Sequence, residues 1–378
     1  MNITLFIMVS FIKAKWVFKK PVQKKYLIYD AANSEILFKY INKKNSEIYH
    51  VRWEVINFYV IYKTLIIYGF KNIKENYKKV YFNFVRPSIA ITLINSNDAF
   101  YKLKYFFPNI ITIAIQNSVR NEDHFSLLKR KKKEKLYCDY LFCFSKSYGS
   151  QYKKFIDMKK FITIGSFINN HYSYKNTEKK NILFISKCKK NQTVINEIII
   201  LKKLIKYIKK NNTNKIDICL KTKDISIVNY FNKFLEKNKI NLITHSAKKS
   251  HSYKLMSEYK TIVFTDSTLG YECMAKNKKV ISFSLGSLNK SWCVKNELIP
   301  IMRFGYPNRL SNSGFCWSNE FNSKNHEKLF NNVTNLSKNS WNKKMYSIKN
   351  KIIYFDPKNK IFSKFLKKIK TQNNSVNF

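Results

Sequence analysis

Acidic residues are scarce in this chain: 23 Asp and Glu stand against 71 Lys and Arg in 378 residues, a formal net charge of +48. Abundant Lys, Asn, Ile, Phe and Tyr fit AT-rich coding, but such coding supplies Asp and Glu as readily as Lys, so a real basic excess remains. It favours anionic partners, whether nucleic acid, anionic lipid or phosphorylated substrates. The lysines are spread along the whole chain, which speaks for general surface bias or a membrane-facing side over a dedicated nucleic-acid arm. Glycine is also rare, with seven in the chain, and no Gly-rich phosphate loop of the P-loop kind occurs. No CxxC pair exists among the seven cysteines, Cys138, Cys143, Cys188, Cys219, Cys273, Cys293 and Cys316, which removes the usual zinc-module spacing. Several lie in apolar runs such as YCDYLFCFS, as buried free thiols of a reducing cytoplasm do. Long hydrophobic runs are missing too. Ile3 to Ile12 is too short to cross a bilayer and lacks the basic flank and cleavage site of a signal peptide. Lys13, Lys15, Lys19 and Lys20 follow it directly. Two readings stand: an interfacial anchor on anionic lipid, or a first buried element of the fold.

What is present is a core. Hydrophobic residues make up 45% of the chain and aromatics 16%, far from a disordered composition. The length suggests two domains. Short apolar runs alternate with helical patterns: KYLIYD, SEIYHV, KVYFNF, SIAITLI, NIITIAIQN, YLFCFS and FITIGS in the first half, then NILFIS, KIDICLK, INLITH, TIVFT and KVISFS. Many are continuously apolar, as strands buried on both faces of a parallel sheet are. Crossover helices are expected over 52–70 and 123–137. The polar stretch 169–181 reads as a linker. The fold class expected is α/β, with two Rossmann-like doubly wound domains facing a cleft: an N-terminal one over 1–175, a C-terminal one over 176–335, and a basic helical tail over 336–378. In the tail, Ile361, Phe362, Phe365, Leu366 and Ile369 form one apolar stripe ringed by lysines. It packs on the first domain, lies on a membrane or binds RNA.

The stretch TDSTLGYECMAKNKKVISFS, residues 265–284, carries the most chemistry. Asp266, Ser267 and Thr268 follow an apolar strand, and either hydroxyl can cap the next helix. A helix start offers backbone N–H groups and partial positive charge, a ready phosphate site. Gly270 removes a side chain where something must approach closely. Glu272 lies four residues after Thr268 and five after Ser267, which is not capping-box spacing. It is either a ligand for paired sugar hydroxyls or a solvated or salt-bridged helix residue.

The segment DSTLGYECMAKNKKV resembles the donor-nucleotide segment in the second domain of GT-B-type glycosyltransferases, in particular those of bacterial capsule and surface-polysaccharide synthesis. The wider chain resembles bacterial surface carbohydrate biosynthesis proteins through KKYLIYDAANSEIL, YHVRWEVINFYVIYKTL, RPSIAITLINSNDAFYKL, FPNIITIAIQNSVRN, CDYLFCFSKS and ITIGSFINN. This covers most of residues 20–285. The resemblance implies a GT-B-like pair of domains and a nucleotide-activated donor in the second. Asp266, Ser267, Thr268 and Gly270 would lie near phosphate and Glu272 on the ribose. It implies no metal site and no cofactor beyond the activated co-substrate. The chain departs from relatives at Ser118, where they have a Gly that permits positive φ, and at Asn277 within Ala275–Lys279.

The first domain is expected to supply acceptor contacts and a base. QNSVRNEDH follows an apolar strand, so Gln116, Asn117 and Arg120 are candidates to orient substrate, and Asp123 or His124 to act as base. Asp30, in YDAANSE, is placed equally well. For each, a helix cap or a polar loop is the competing reading. In RFGYPNR, Arg303 is a candidate for diphosphate charge, against a solvated loop.

The function expected is a cytoplasmic transferase, at or peripheral to the inner membrane face. It would move a sugar or polyol phosphate from a nucleotide-activated donor to a glycan or lipid-linked acceptor, held by anionic lipid and by no specific nucleic acid. Two alternatives stand beside it. One is a basic nucleic-acid-binding protein, although no RNP-like, zinc or helix-turn-helix signature is present. The other is a catalytically inactive GT-B-like assembly partner.

Overall fold

A computed structural model describes residues 12–131, 134–174, 179–186, 191–211, 215–220, 224–238, 241–244, 249–284, 303–319 and 323–374. Two compact units emerge. Unit 1 comprises Met1–Asn117, Lys131–Cys143 and Lys153–Ile162; unit 2 comprises Ser118–Arg130, Phe144–Tyr152 and Thr163–Phe378. The chain therefore changes unit several times before residue 163, and residues beyond 335 belong to unit 2.

In unit 1 the strands are β1 (Lys15–Val17), β2 (Tyr26–Tyr29), β3 (Ser46–Tyr49), β4 (Val55–Asn57), β5 (Ile89–Thr92), β6 (Ile111–Ile115), β7 (Tyr137–Cys143) and β8 (Asp157–Thr163). Six of them form one sheet in the order β3-β2-β5-β6-β7-β8, while β1 and β4 pair separately. From β3 through β7 the pairing is parallel. Every residue of β2 and of β5 is buried, which is why these strands read as continuous apolar runs. KVYFNF, expected as a strand, instead lies in the helix Ile73–Val85, which buries Tyr77, Val80, Tyr81 and Val85 along one face. A short aromatic run is locally ambiguous between strand and buried helix, and the i, i+4 burial settles it. Inside this unit Asp139 is fully buried between Lys104 at 3.1 Å and Lys159 at 2.9 Å, and accepts from the Thr112 amide at 2.8 Å. Burial alone raises its pKa; the Thr112 amide and the two lysines outweigh it and hold the carboxyl below its usual range.

In unit 2 the strands are β9 (Lys179–Ile185), β10 (Ile216–Leu220), β11 (Asn241–Thr244), β12 (Tyr259–Thr265), β13 (Lys279–Phe283) and β14 (Trp317–Ser318). Their order is β11-β10-β9-β12-β13-β14, parallel throughout. Strand order reverses between β9 and β12, the position at which doubly wound sheets open a crevice at their carboxyl edge. The stretch expected as a linker begins inside the helix Phe167–His171; residues 175–178 lie outside the described residues, as does the run 1–11. In the tail helix Lys360–Asn374, Phe362, Leu366 and Ile369 are buried, and Phe362 meets Phe167 edge-on at 5.0 Å. The stripe therefore packs within unit 2. Asn359 anchors the helix start by donating to Phe167 O at 2.9 Å and accepting from Asn170 at 3.0 Å.

Candidate functional site

At the carboxyl end of β12 the chain turns through Asp266, whose φ of 44° lies in the left-handed region. Asp tolerates that region better than most residues. The helix Thr268–Ala275 begins immediately after, with Ser267 as N-cap and no capping bond from its side chain. Thr268 Oγ1 accepts from the Val119 amide at 3.2 Å, which ties the 118–121 loop to the helix start. The close approach expected at Gly270 is made by the Phe264 ring: a Cβ there would lie 2.1 Å from it. Gly270 is thus fixed by packing between strand and helix.

Glu272 lies in the second turn of the helix, five residues after the Ser267 cap, and is buried. Its two carboxylate oxygens accept from Tyr253 Oη at 3.1 Å each, and one accepts from Ser166 Oγ. Asn169 Nδ2 donates to the Glu272 carbonyl at 3.0 Å. Burial, then the Glu272 charge, push the Tyr253 phenol pKa well up, so it stays a donor. Tyr253 stacks on Tyr172 at 5.0 Å, and Lys276 closes this cluster by donating to the Tyr172 carbonyl at 2.6 Å. A ribose would have to share this carboxylate with two protein hydroxyls.

The run QNSVRNEDH divides between the units. Gln116 and Asn117 stay in unit 1, where Gln116 N donates to Phe142 O at 2.8 Å and Asn117 N to Asn95 Oδ1 at 3.4 Å. Arg120, Asp123 and His124 belong to unit 2, with the Thr268 helix. Tyr148 Oη accepts from Arg120 N and donates to Arg120 O, both at 3.1 Å. Asp123 accepts from Asn121 at 2.7 Å; burial raises its pKa. His124 faces Tyr152 Oη at 3.3 Å, and burial, then the Arg120 charge, lower its pKa to about 4. Its imidazole is therefore neutral at pH 7 and a weak base. Asp30 follows β2 in unit 1 with φ 87°, accepting from Arg52 at 2.9 Å and from the Ala32 amide at 2.9 Å. Arg303 is exposed beside the 304–307 turn.

One residue was not singled out from sequence. Glu197, in the helix Asn191–Asn211, is fully buried and accepts from Ser186 and Thr265, at the carboxyl ends of β9 and β12. It bridges the two strands that flank the switch point. Its signal was an acidic residue inside an apolar helical face. Neither departure from relatives strains the backbone. Asn277 adopts φ 62°, which Asn accepts, and Ser118 is not among the positive-φ residues. Among the described residues no group of three or more His, Cys, Asp or Glu is placed to hold a metal ion.

Two doubly wound parallel sheets of this kind define a GT-B-like fold. Solved structures agree. A UDP-GlcNAc 2-epimerase from Neisseria meningitidis bound to UDP-GlcNAc is similar over 91% of this chain and 100% of its own, at 13% identity and a TM-score of 0.55. The S. aureus protein MnaA with UDP covers 89% and 93%, at 12% and 0.52. The wall teichoic acid polymerase TagF soaked with CDPG covers 94% and 90%, at 10% and 0.51. No curated protein matches in sequence. A family model described as "putative O-antigen biosynthesis protein" matches residues 113–370, well over half the chain. The chain belongs to that family.

Proposed function

We propose that the chain is a transferase of surface-polysaccharide biosynthesis that binds a nucleotide-activated donor at the carboxyl edge of the unit 2 sheet. The observation that carries this is the helix start at Ser267–Thr268. It stands beside the β9/β12 switch point, and the Ser267 side chain makes no capping bond to the helix. Backbone N–H groups and the helix dipole there suit a diphosphate. The uridine nucleotides and CDPG held by the fold neighbours support the same class of ligand. Arg120, and Arg303 from the 303–309 loop, are assigned to phosphate charge. Asp123 is assigned as base ahead of the weakly basic His124, and Asp30 is kept for acceptor contacts. Glu272 is assigned a positioning role through Ser166 and Tyr253; the ribose contact implied by the resemblance is the reading it competes with.

The test is calorimetric titration of CMP, CDP, UDP, GDP and ADP into the full chain, beside Glu272→Gln. One nucleotide is expected to bind in the micromolar range, and Glu272→Gln to change its affinity by less than about threefold. A loss of more than tenfold in a folded Glu272→Gln would return the carboxylate to the ribose. No binding of any nucleotide would sink the donor-site reading. A sugar epimerase is the second reading, favoured by the epimerase among the fold neighbours. Conversion of UDP-GlcNAc to its 2-epimer without an acceptor would select it.

A lipid-linked acceptor on an anionic membrane face fits an exposed surface of unit 1. On the helix Phe58–Tyr68, which holds no acidic residue, Phe58, Tyr62, Ile66 and Ile67 are exposed; Phe70 follows, and Phe18 packs on Phe58 at 5.4 Å. Lys63, Lys71 and Lys74 lie in or just after this helix. That combination suits an interfacial face. No described helix is long and apolar enough to cross a membrane. Ile66→Asp/Ile67→Asp is expected to weaken co-sedimentation with phosphatidylglycerol vesicles roughly tenfold; unchanged sedimentation removes this face from the proposal.

A further inference from the structure

The opposite edge of the unit 2 sheet carries a cavity of about 250 Å³ whose wall includes five lysines, Lys260, Lys276, Lys278, Lys279 and Lys338, together with Trp341. Two asparagines complete it, and among the described residues no Asp or Glu lines it. Lys260 lies at the start of β12 and Lys279 opens β13. The cavity therefore stands at the amino ends of the strands, away from the carboxyl edge assigned to the donor.

General lysine bias does not explain this wall. Biased surface lysines reach into water, yet Lys278 and Lys279 are only 7% and 3% exposed. Their ammonium groups turn onto backbone carbonyls: Lys278 donates to Ser257 O at 2.8 Å, and Lys279 to Thr334 O at 3.2 Å and to Leu336 O. Carbonyl dipoles solvate a buried cation without neutralising it, and concentrated like charge is unfavourable at low local dielectric. Burial, then the neighbouring Lys260 charge, lower the Lys279 pKa accordingly. Trp341 supplies an independent sign. It is 1% exposed, and among the described residues its indole N–H has no hydrogen-bond partner, although buried indole donors normally find one.

We propose that this cavity binds a phosphoryl or pyrophosphoryl group, at a site separate from the donor site. Its anionic oxygens would lie against the lysine-lined wall, beside Trp341. The volume suits the anionic group and not a whole nucleotide sugar, since pockets for ligands of that size start near about 300 Å³. The group could be carried by a free diphosphate or by a lipid headgroup, and the test separates the two.

The probe is the indole N–H resonance of Trp341 in the full chain labelled with ¹⁵N-tryptophan and assigned with Trp341→Phe. Inorganic pyrophosphate is titrated in one arm; in the other, phosphatidylglycerol vesicles are compared with phosphatidylcholine vesicles. A saturable shift with pyrophosphate is expected, weakened roughly tenfold by Lys260→Gln/Lys338→Gln. Both residues are exposed, and Lys260→Gln alone provides a milder variant. A response only to phosphatidylglycerol, lost in the same variants, assigns the group to a headgroup. The proposal is overturned if neither probe moves the resonance, or if the response is unchanged in the double variant.

Discussion

Replacing Glu272 by alanine is expected to destabilise the chain by about 4 kcal/mol. The carboxylate is buried, and it accepts from Tyr253 and Ser166. Alanine leaves both hydroxyls buried without that acceptor, at roughly 1–3 kcal/mol each, and opens a cavity where the side chain stood. Glu272→Gln keeps the volume and one carbonyl acceptor, so its loss is smaller, about 1–2 kcal/mol. Denaturant midpoints at constant m-value measure both. An alanine variant within 1 kcal/mol of the parent would mean that the Ser166–Tyr253–Glu272 cluster contributes little, and would reopen a solvated role for Glu272.

Gly165→Ala should be more damaging still. Gly165 has φ +76°, and an added Cβ would stand 1.8 Å from the Tyr354 carbonyl oxygen and 2.6 Å from its carbon. Those atoms are backbone, held by the antiparallel bridge from Gly165 to Phe355 and by the Tyr354 N–H to Phe144 O bond. No rotamer change relieves the clash, so a loss above about 4 kcal/mol is expected, a large fraction of the roughly 5–15 kcal/mol by which domains are stable. Gly69→Ala is the control: φ is +58° and ψ −150°, and no described atom lies within 4 Å of the added carbon. It bears only the cost of a backbone region that is essentially glycine's, about 1–3 kcal/mol. Soluble yield and thermal unfolding compare the two, and equal losses would show that backbone conformation, and not the Tyr354 contact, governs position 165.

Much of the architecture was legible in the sequence. Runs such as SIAITLI and TIVFT became the buried parallel strands β5 and β12, because a strand covered on both faces must be apolar at every position. KVYFNF failed for the converse reason: a helix buried on a broad face presents the same local composition. The strand–turn–helix from β12 to Ala275 was visible through DST and a single Gly, but the neighbours of that helix were not. Sequence spacing cannot show that Ser166 and Tyr253 hold Glu272, or that the Phe264 ring demands Gly270, since those partners are set by tertiary packing. Glu197 escaped for a related reason: its place on an apolar helical face marks it as buried, but nothing local names Ser186 and Thr265 as its partners. The run from Gln116 to His124 reads as one polar loop, yet its two halves belong to different units.

That division has an evolutionary side. Unit 2 includes Ser118–Arg130 and Phe144–Tyr152 besides everything from Thr163 onward. Gene fusion or recombination at a single breakpoint therefore cannot transplant it whole. A crossover near residue 175 would leave Thr268 without the Val119 amide and His124 in the wrong parent. Whatever specificity unit 2 carries is inherited with parts of the N-terminal half, and is expected to drift by point substitution more readily than by exchange of cassettes.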